Sequence, residues 1–410
     1  MSFDVQHIRA DFPVLAEIIN GQPLVYLDSA NTSQKPNAVI NAMTTFMQHA
    51  YGPTNRSAYK LASDATDAFE GARAKVAAFI NAPAVHEVVF TKNATESLNL
   101  IVRTWGTQNL NAGDVVVLTH MEHHANIVPW QMLAAEKGFT IRWVPLTHDG
   151  LLDLSDLDTL LAGAKAFSFT AMSNVLGTIN PVKELCARAH KHGAIAIVDG
   201  CQSVPHMHTD VQEWDADFVV FSSHKMVGPS GIGIMWGREK ILDAIPPFLG
   251  GGNMISDVKL EGFTCAELPA KFEAGTQPII EAIGLGAAVD YLSALGMHNV
   301  RQHERDITRY ALDTLTARFG DDIVIHGSRN VEVRGATLSF AFRDVHPHDV
   351  SQVLDQHNVC VRAGHHCAKP LMRLLGANAT VRASFYLYNT PSEVDALGDA
   401  LAEAGDFFTL

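Results

Sequence analysis

Seven short apolar runs lie between residues 87 and 237, several of them separated by stretches with helical periodicity. They are EVVFT (87–91), DVVVLTH (114–120), TIRWVPL (140–146), AFSFTAM (166–172), AIAIVDG (194–200), DFVVFSS (217–223) and GIGIMWG (231–237). Continuous apolar strands of this kind need cover on both faces. The helical patterns between them supply it, such as PVKELCARAHKHG closed by Gly193. The pattern predicts an α/β fold with a mainly parallel sheet covered by helices. In such sheets ligands bind outside the carboxyl ends of the strands, so residues that follow strands are the candidates for chemistry.

At 410 residues the chain is too long for one ordinary domain. Helical patterns run through 279–295 and 300–319, LGGGNMI (249–255) reads as a loop, and strand and helix patterns alternate again from about 296. The expected division is an N-terminal segment (1–20) packing with the small domain, a large domain (21–295) and a small C-terminal α/β domain (296–410). A net charge of −14 argues against a nucleic-acid surface. Asp4 and Asp11 stand where a signal peptide needs a positive start and an apolar run. No stretch approaches the roughly 20 apolar residues of a membrane span. Five scattered cysteines read as reduced thiols, and the location is expected to be cytoplasmic. Cys186 and Cys360 sit in apolar segments and read as core residues.

Lys225 follows a strand in FSSHKMVGPSG and is bounded by Gly228 and Gly231. A lysine there can serve as a surface charge or form a Schiff base with an aldehyde cofactor. Asp199 ends AIAIVDG, one strand–helix unit earlier. Such a carboxylate caps helices, binds metals or pairs with a protonated ring nitrogen. KNATESLNL (92–100) opens a helix with Thr95 in its first turn. That makes it either an ordinary capped helix or an anion site. His123, in MEHHANIVPW, is a candidate for ring stacking and for proton transfer near neutral pH. A metal reading would use His120, His123 and His124, at a spacing unlike the usual zinc patterns. VRAGHHCAKPLM (361–372) places Cys367 behind two histidines, as nucleophile, metal ligand or core residue.

VDGCQSV, the SSHK segment, GGGNMI, FEAGT (272–276) and RAGHHCAKPLM together resemble cysteine desulfurases of the fold-type-I, class V aminotransferase group. Within them the R-x-G-H-H-C loop is similar to that of the SufS-like branch. The resemblance extends from DFPVL to RASFYLYNT. It implies pyridoxal 5'-phosphate (PLP) as cofactor, held by Lys225. Asp199 would pair with the pyridine nitrogen, Gln202 with the ring oxygen, and His123 would stack on the ring. Thr95, Ser222 and His224 would bind the phosphate. Thr276 would reach a phosphate across a homodimer interface. Asn174, Arg362 and Arg382 would position substrate, the arginine fork suiting a carboxylate. Cys367 would take sulfur from L-cysteine as a persulfide and release alanine, with its proton going to His365, His366 or His123. The sulfur would serve iron–sulfur cluster assembly through an acceptor of SufU or SufE type. Selenocysteine lyase or cysteine sulfinate desulfinase is the alternative on the same cofactor.

Two features stand apart from the family pattern, and a third adds a further resemblance. NRSAY carries Asn55 and Tyr59 where SufS-like enzymes commonly have histidine, with Arg56 retained. Cys201 stands beside the ring-contacting glutamine and reads as a packing residue, the alternative being a second thiol near the cofactor. VHPHD (345–349) resembles the segment by which some SufS proteins engage a zinc-bearing acceptor, making His346 and His348 candidates for that contact; the other reading is a plain helix start.

Overall fold

The computed structural model describes residues 3–19, 21–55 and 57–408. Each apolar run forms a strand: β1 (Val88–Thr91), β2 (Val115–Thr119), β3 (Thr140–Val144), β4 (Ala164–Thr170), β5 (Ile195–Asp199), β6 (Phe218–Ser222) and β7 (Gly233–Gly237). They form one sheet in the order β1-β7-β6-β5-β4-β2-β3. The neighbours from β6 to β3 are parallel. Strand β7 runs antiparallel to both β6 and β1. Only one turn of helix (Ser223–Lys225) lies between β6 and β7, short of the crossover of about a dozen residues that a parallel neighbour needs.

The inner strands are mainly apolar because both faces are buried, whereas the edge strand β3 is partly exposed and carries Arg142. In β6, Val219 and Phe221 join one core cluster while Phe218 and Val220 join another. On the first face, α1 (Asn37–His49) and α2 (Lys60–Phe79) pack against the long apolar α5 (Ile279–Leu295). Two shorter helices, α3 (Ala94–Ile101) and α4 (Val182–Lys191), follow β1 and precede β5. Among the described residues no single helix is long and apolar enough to cross a membrane. Helix α5 is apolar because it is enclosed. It meets α6 (Met297–Phe319) at a 74° bend through Gly296, whose φ of +80° suits glycine.

A second sheet contains β8 (Ile323–Ile325), β9 (Thr337–Phe342), β10 (Arg362–Gly364) and β11 (Thr380–Ser384) in the order β8-β9-β11-β10, every pair antiparallel. Its core takes Leu312 from α6, Leu354 from α7 (Pro347–Gln356) and Leu401 from α9 (Pro391–Phe407). The short helix α8 (Lys369–Leu374) follows β10. Residues 25–27 also belong here, while Ile8, Phe12 and Leu15 of the N-terminal segment, expected to pack with the small domain, join the first core. Val25–Tyr26 pairs in parallel with Val359–Cys360, Val25 and Leu27 join the second core, and Arg9 pairs with Glu393 at 2.9 Å. The Gly-rich loop leads into a hairpin, Ile255–Lys259 with Gly262–Cys265, which the loop reading did not include.

Candidate active site

A cavity of about 260 Å³ opens where β4, β5 and β6 end, at Thr170, Asp199 and Ser222. Asp199 is 4% exposed, and its Oδ1 accepts from the Cys201 N–H at 3.0 Å. Gln202 Nε2 donates to the Ala30 carbonyl at 2.7 Å. Helix α3 opens onto the same cavity with Asn93, Ala94 and Thr95. The Ala94 N–H donates to Ser222 Oγ at 2.9 Å, and Asn93 Oδ1 caps the helix by accepting from the Glu96 N–H. Gly233 permits this placement: a Cβ there would lie 2.4 Å from Asn93 Cα.

Lys225 sits in the one-turn helix after β6, and Val227 just beyond it has φ +56°, unusual for a β-branched residue. The segment Thr32–Lys35 holds this turn. Ser33 Oγ accepts from the Val227 N–H at 2.8 Å. The His224 carbonyl accepts from the Ser33 N–H, Ser33 Oγ, Thr32 Oγ1 and Lys35 Nζ, all within 3.1 Å. Burial lowers Lys35 to about 8.

His123 Nδ1 accepts from the Ala125 N–H at 3.1 Å, so the neutral ring carries its proton on Nε2. Burial, then the Lys225 charge, pushes His123 down to about 4. Burial followed by Lys225 and Lys35 does the same to His224. Both rings are therefore neutral at physiological pH, and His123 does not titrate where the sequence reading expected. Beside it, Glu122 accepts from Thr119 Oγ1, Asn126 Nδ2 and the Thr170 N–H. Burial outweighs these donors and raises Glu122 to about 8.

Cys367 enters from the second sheet, on the turn between β10 and α8. His366 and Cys367 have φ of +49° and +57°, two consecutive non-glycine residues in the left-handed region. Such residues cost on the order of 1–3 kcal/mol each and need outside support. Asn174 Nδ2 donates to the His366 carbonyl and the His124 N–H to the Cys367 carbonyl, each at 2.7 Å. His124 Nε2 accepts from the Lys369 N–H at 2.9 Å. Arg362 donates to Cys367 Sγ at 3.5 Å, so a negative sulfur here faces a cation. Arg382 is fully buried; it donates to Asp28 Oδ1 at 3.0 Å and to the Asn174 carbonyl at 3.1 Å, and its Nε has no protein partner.

Thr95, His123, Asn174, Asp199, Gln202, Ser222, His224, Lys225, Arg362, Cys367 and Arg382 all line this cavity. Thr276 does not; it lines a separate groove with Lys92, Leu249 and Glu281. Of the three histidines considered for the Cys367 proton, only His123 lines the cavity. His366 is buried against Thr380 at 2.9 Å, and burial pushes its pKa far down. His365 lies beside His124, ring centres 5.8 Å apart. Cys201, read as packing, lines the cavity, and burial beside Asp199 raises its thiol well up. Cys186 is core and Cys360 half-buried. Asn55 lies in a distinct surface depression, Tyr59 is 53% exposed, and Arg56 lies outside the described residues. His120 stacks on Trp143, apart from His123, and no group of three or more His, Cys, Asp or Glu side chains among the described residues could hold a metal. Sequence reasoning missed Ala30 and Asn31, whose signal was only a polar turn after an apolar run.

The family model described as aminotransferase class-V matches residues 25–397. A probable cysteine desulfurase of Streptomyces coelicolor is 49% identical over 411 residues, covering 99% of this chain and 98% of that protein. The chain belongs to the PLP-dependent cysteine desulfurases of the class-V aminotransferase family. The cysteine desulfurase of Enterobacter sp. is 47% identical over 97% of both chains. Among solved structures, the apo cysteine desulfurase of Thermococcus onnurineus is 38% identical with a TM-score of 0.93 over 98% of both chains. The cysteine desulfurase CsdA of Escherichia coli, an S-sulfonic acid form, is 36% identical with a TM-score of 0.91, covering 99% of this chain and 100% of that one. The donor set of this desulfurase fits PLP: one cavity offers an amine at Lys225, a buried carboxylate at Asp199 and a helix N-terminus at Asn93–Thr95.

Proposed function

We propose that this desulfurase converts L-cysteine to L-alanine, leaves the sulfur as a persulfide on Cys367, and passes it on for iron–sulfur cluster assembly. The observation that carries the reading is that Cys367 and Lys225 line one cavity, with a guanidinium 3.5 Å from the thiol sulfur. Bound PLP supplies the electron sink that makes the substrate α-hydrogen acidic. Lys225 would hold the aldehyde through its amine and, once freed by substrate, carry the α-proton. Asp199 would hold the ring-nitrogen proton, Gln202 would meet the ring oxygen and His123 would stack as a neutral ring. Thr95, Ser222 and His224 would surround the phosphate, supported by the α3 N-terminus.

Arg382 and Asn174 would take the substrate carboxylate. The unpartnered Arg382 Nε leaves a buried cation only partly compensated by Asp28. Cys367 Sγ then attacks the substrate sulfur. The new S–S bond forms as the substrate Cβ–S bond breaks, and cysteine plus thiol become alanine plus persulfide. Arg362, which donates to Cys367 Sγ at 3.5 Å, would orient the sulfur for that attack.

The reading includes a homodimer, with Thr276 serving the partner's site, which its place in a groove separate from this chain's own cavity favours. It also includes a division into large and small units near residue 296 and a reducing, cytoplasmic setting, in keeping with five free cysteines. For the acceptor we favour a SufU-type partner over a SufE-type one. His346 and His348 are exposed and stacked, ring centres 5.3 Å apart, and His346 caps α7 through Nδ1 with Nε2 left over. Turnover measured with each acceptor decides: stimulation by SufE alone removes the histidine contact. Comparing cysteine and selenocysteine turnover in Cys367→Ala separates desulfurase from selenocysteine lyase chemistry. Loss confined to cysteine is expected, and unchanged cysteine turnover would remove the persulfide.

A further inference from the structure

The turn that presents Cys367 is gripped from the opposite sheet by one residue at two points. The His124 main-chain N–H donates to the Cys367 carbonyl at 2.7 Å, and the His124 imidazole Nε2 accepts from the Lys369 N–H at 2.9 Å. These bonds bracket the turn, one at the nucleophile and one at the first residue of α8. Between and before them the chain runs through left-handed His366 and Cys367, a conformation unsupported by local propensity.

We infer that His124 is a positioning residue for sulfur transfer: its main-chain N–H and imidazole Nε2 clamp the Cys367 turn in the conformation that presents the thiol to the cavity. This rests on the proposed attack by Cys367. His124 does not line the cavity, so it acts through the turn rather than on substrate. An acceptor at Nε2 requires the neutral tautomer with its proton on Nδ1. Burial lowers the pKa of His124, with His365 and Lys369 adding to the effect, which favours the neutral ring that the Lys369 bond needs. His123, at 6.3 Å between ring centres, and His365, at 5.8 Å, are the aromatic neighbours. Only one of the two bonds comes from the side chain, so substitution at His124 removes the imidazole hold while leaving the main-chain bond in place.

Two polar substitutions separate the clamp from bulk packing. His124→Gln keeps an acceptor near the Nε2 position; His124→Asn stops short of it. Two quantities are read on the PLP-loaded protein. One is hydrogen exchange of the peptide spanning 365–372 without cysteine, and the other is the rate of first-turnover persulfide formation on Cys367 against cysteine concentration. The Asn variant is expected to speed exchange and slow the maximal persulfide rate by about fivefold, roughly the worth of one hydrogen bond. The cysteine concentration for half-maximal rate should stay unchanged, and the Gln variant should remain within twofold of the parent. An Asn variant within twofold of the parent in exchange or in rate overturns the clamp, and so does a Gln variant as impaired as Asn. If the parent itself forms no persulfide on Cys367, the proposed function fails, while the exchange measurement still tests the clamp.

Discussion

The turns carrying Lys225 and Cys367 face one cavity, and both contain non-glycine residues in the left-handed region. They are held very differently. The Lys225 turn closes the interior of the seven-stranded sheet, and Ser33 alone makes three hydrogen bonds to it while only 2% exposed. The Cys367 turn is a partly exposed link between an edge strand and a short helix, held by one bond from Asn174 and two from His124. An amine that must return to the same carbon each cycle needs a fixed mount. On the proposed reaction, a sulfur bound for an acceptor needs one that can let go.

Four substitutions or conditions would break or sharpen that contrast. Lys225→Ala should remove the visible absorbance of attached cofactor and lower cysteine turnover by ~10²–10⁴-fold from the lost proton transfer alone. A coloured, active variant would refute the mount. Cys367→Ala should leave the absorbance intact and abolish sulfur labelling, so that the two turns fail in separable ways. Labelling elsewhere on the chain at the original rate would show that the second turn is dispensable.

Acid should weaken the fold on the cavity side before it reaches ordinary carboxylates. His123 and His224 are held at about 4 against an ordinary 6.5. Their neutral forms stabilise the fold fully above pH 6.5. At these two histidines the unfolded chain binds more protons than the folded one between pH 6.5 and 4, so their contribution falls with pH by up to roughly 3 kcal/mol each, and together they outweigh the opposing gain from Glu122, which the fold keeps protonated up to about 8. Thermal melts of cofactor-free protein at pH 7, 6 and 5 should show a falling midpoint; a constant midpoint contradicts it. Ser33→Ala leaves the buried Val227 N–H without its acceptor and should cost about 2 kcal/mol in denaturant unfolding. It should also speed exchange in the Lys225 turn without affecting the Cys367 turn.

Much of this was legible in the residues. Each of the seven apolar runs is a strand, shifted by a residue or two at most, and 279–295 is a helix as read, because burial on both faces writes itself into local composition. Strand direction does not. Nothing in GIGIMWG distinguishes an antiparallel partner, and only the shortness of the preceding connection forces it. Strand-end chemistry was legible at Asp199 and Lys225, since both follow apolar runs directly. The clasp of Thr32–Lys35 on the Lys225 turn was not, because it joins positions nearly two hundred residues apart, as the 192-residue separation of Thr32 from His224 shows. The side-chain directions of His366, turned into Thr380, and Cys201, turned to the cavity, depend on backbone angles that sequence spacing does not encode.

The central claim is that sulfur from cysteine comes to rest on Cys367. Mass spectrometry of the protein after one equivalent of L-cysteine should find one extra sulfur atom on the peptide carrying Cys367 and one alanine released per site. Alanine formed with no sulfur on that peptide, or with the sulfur on Cys201, would contradict the account.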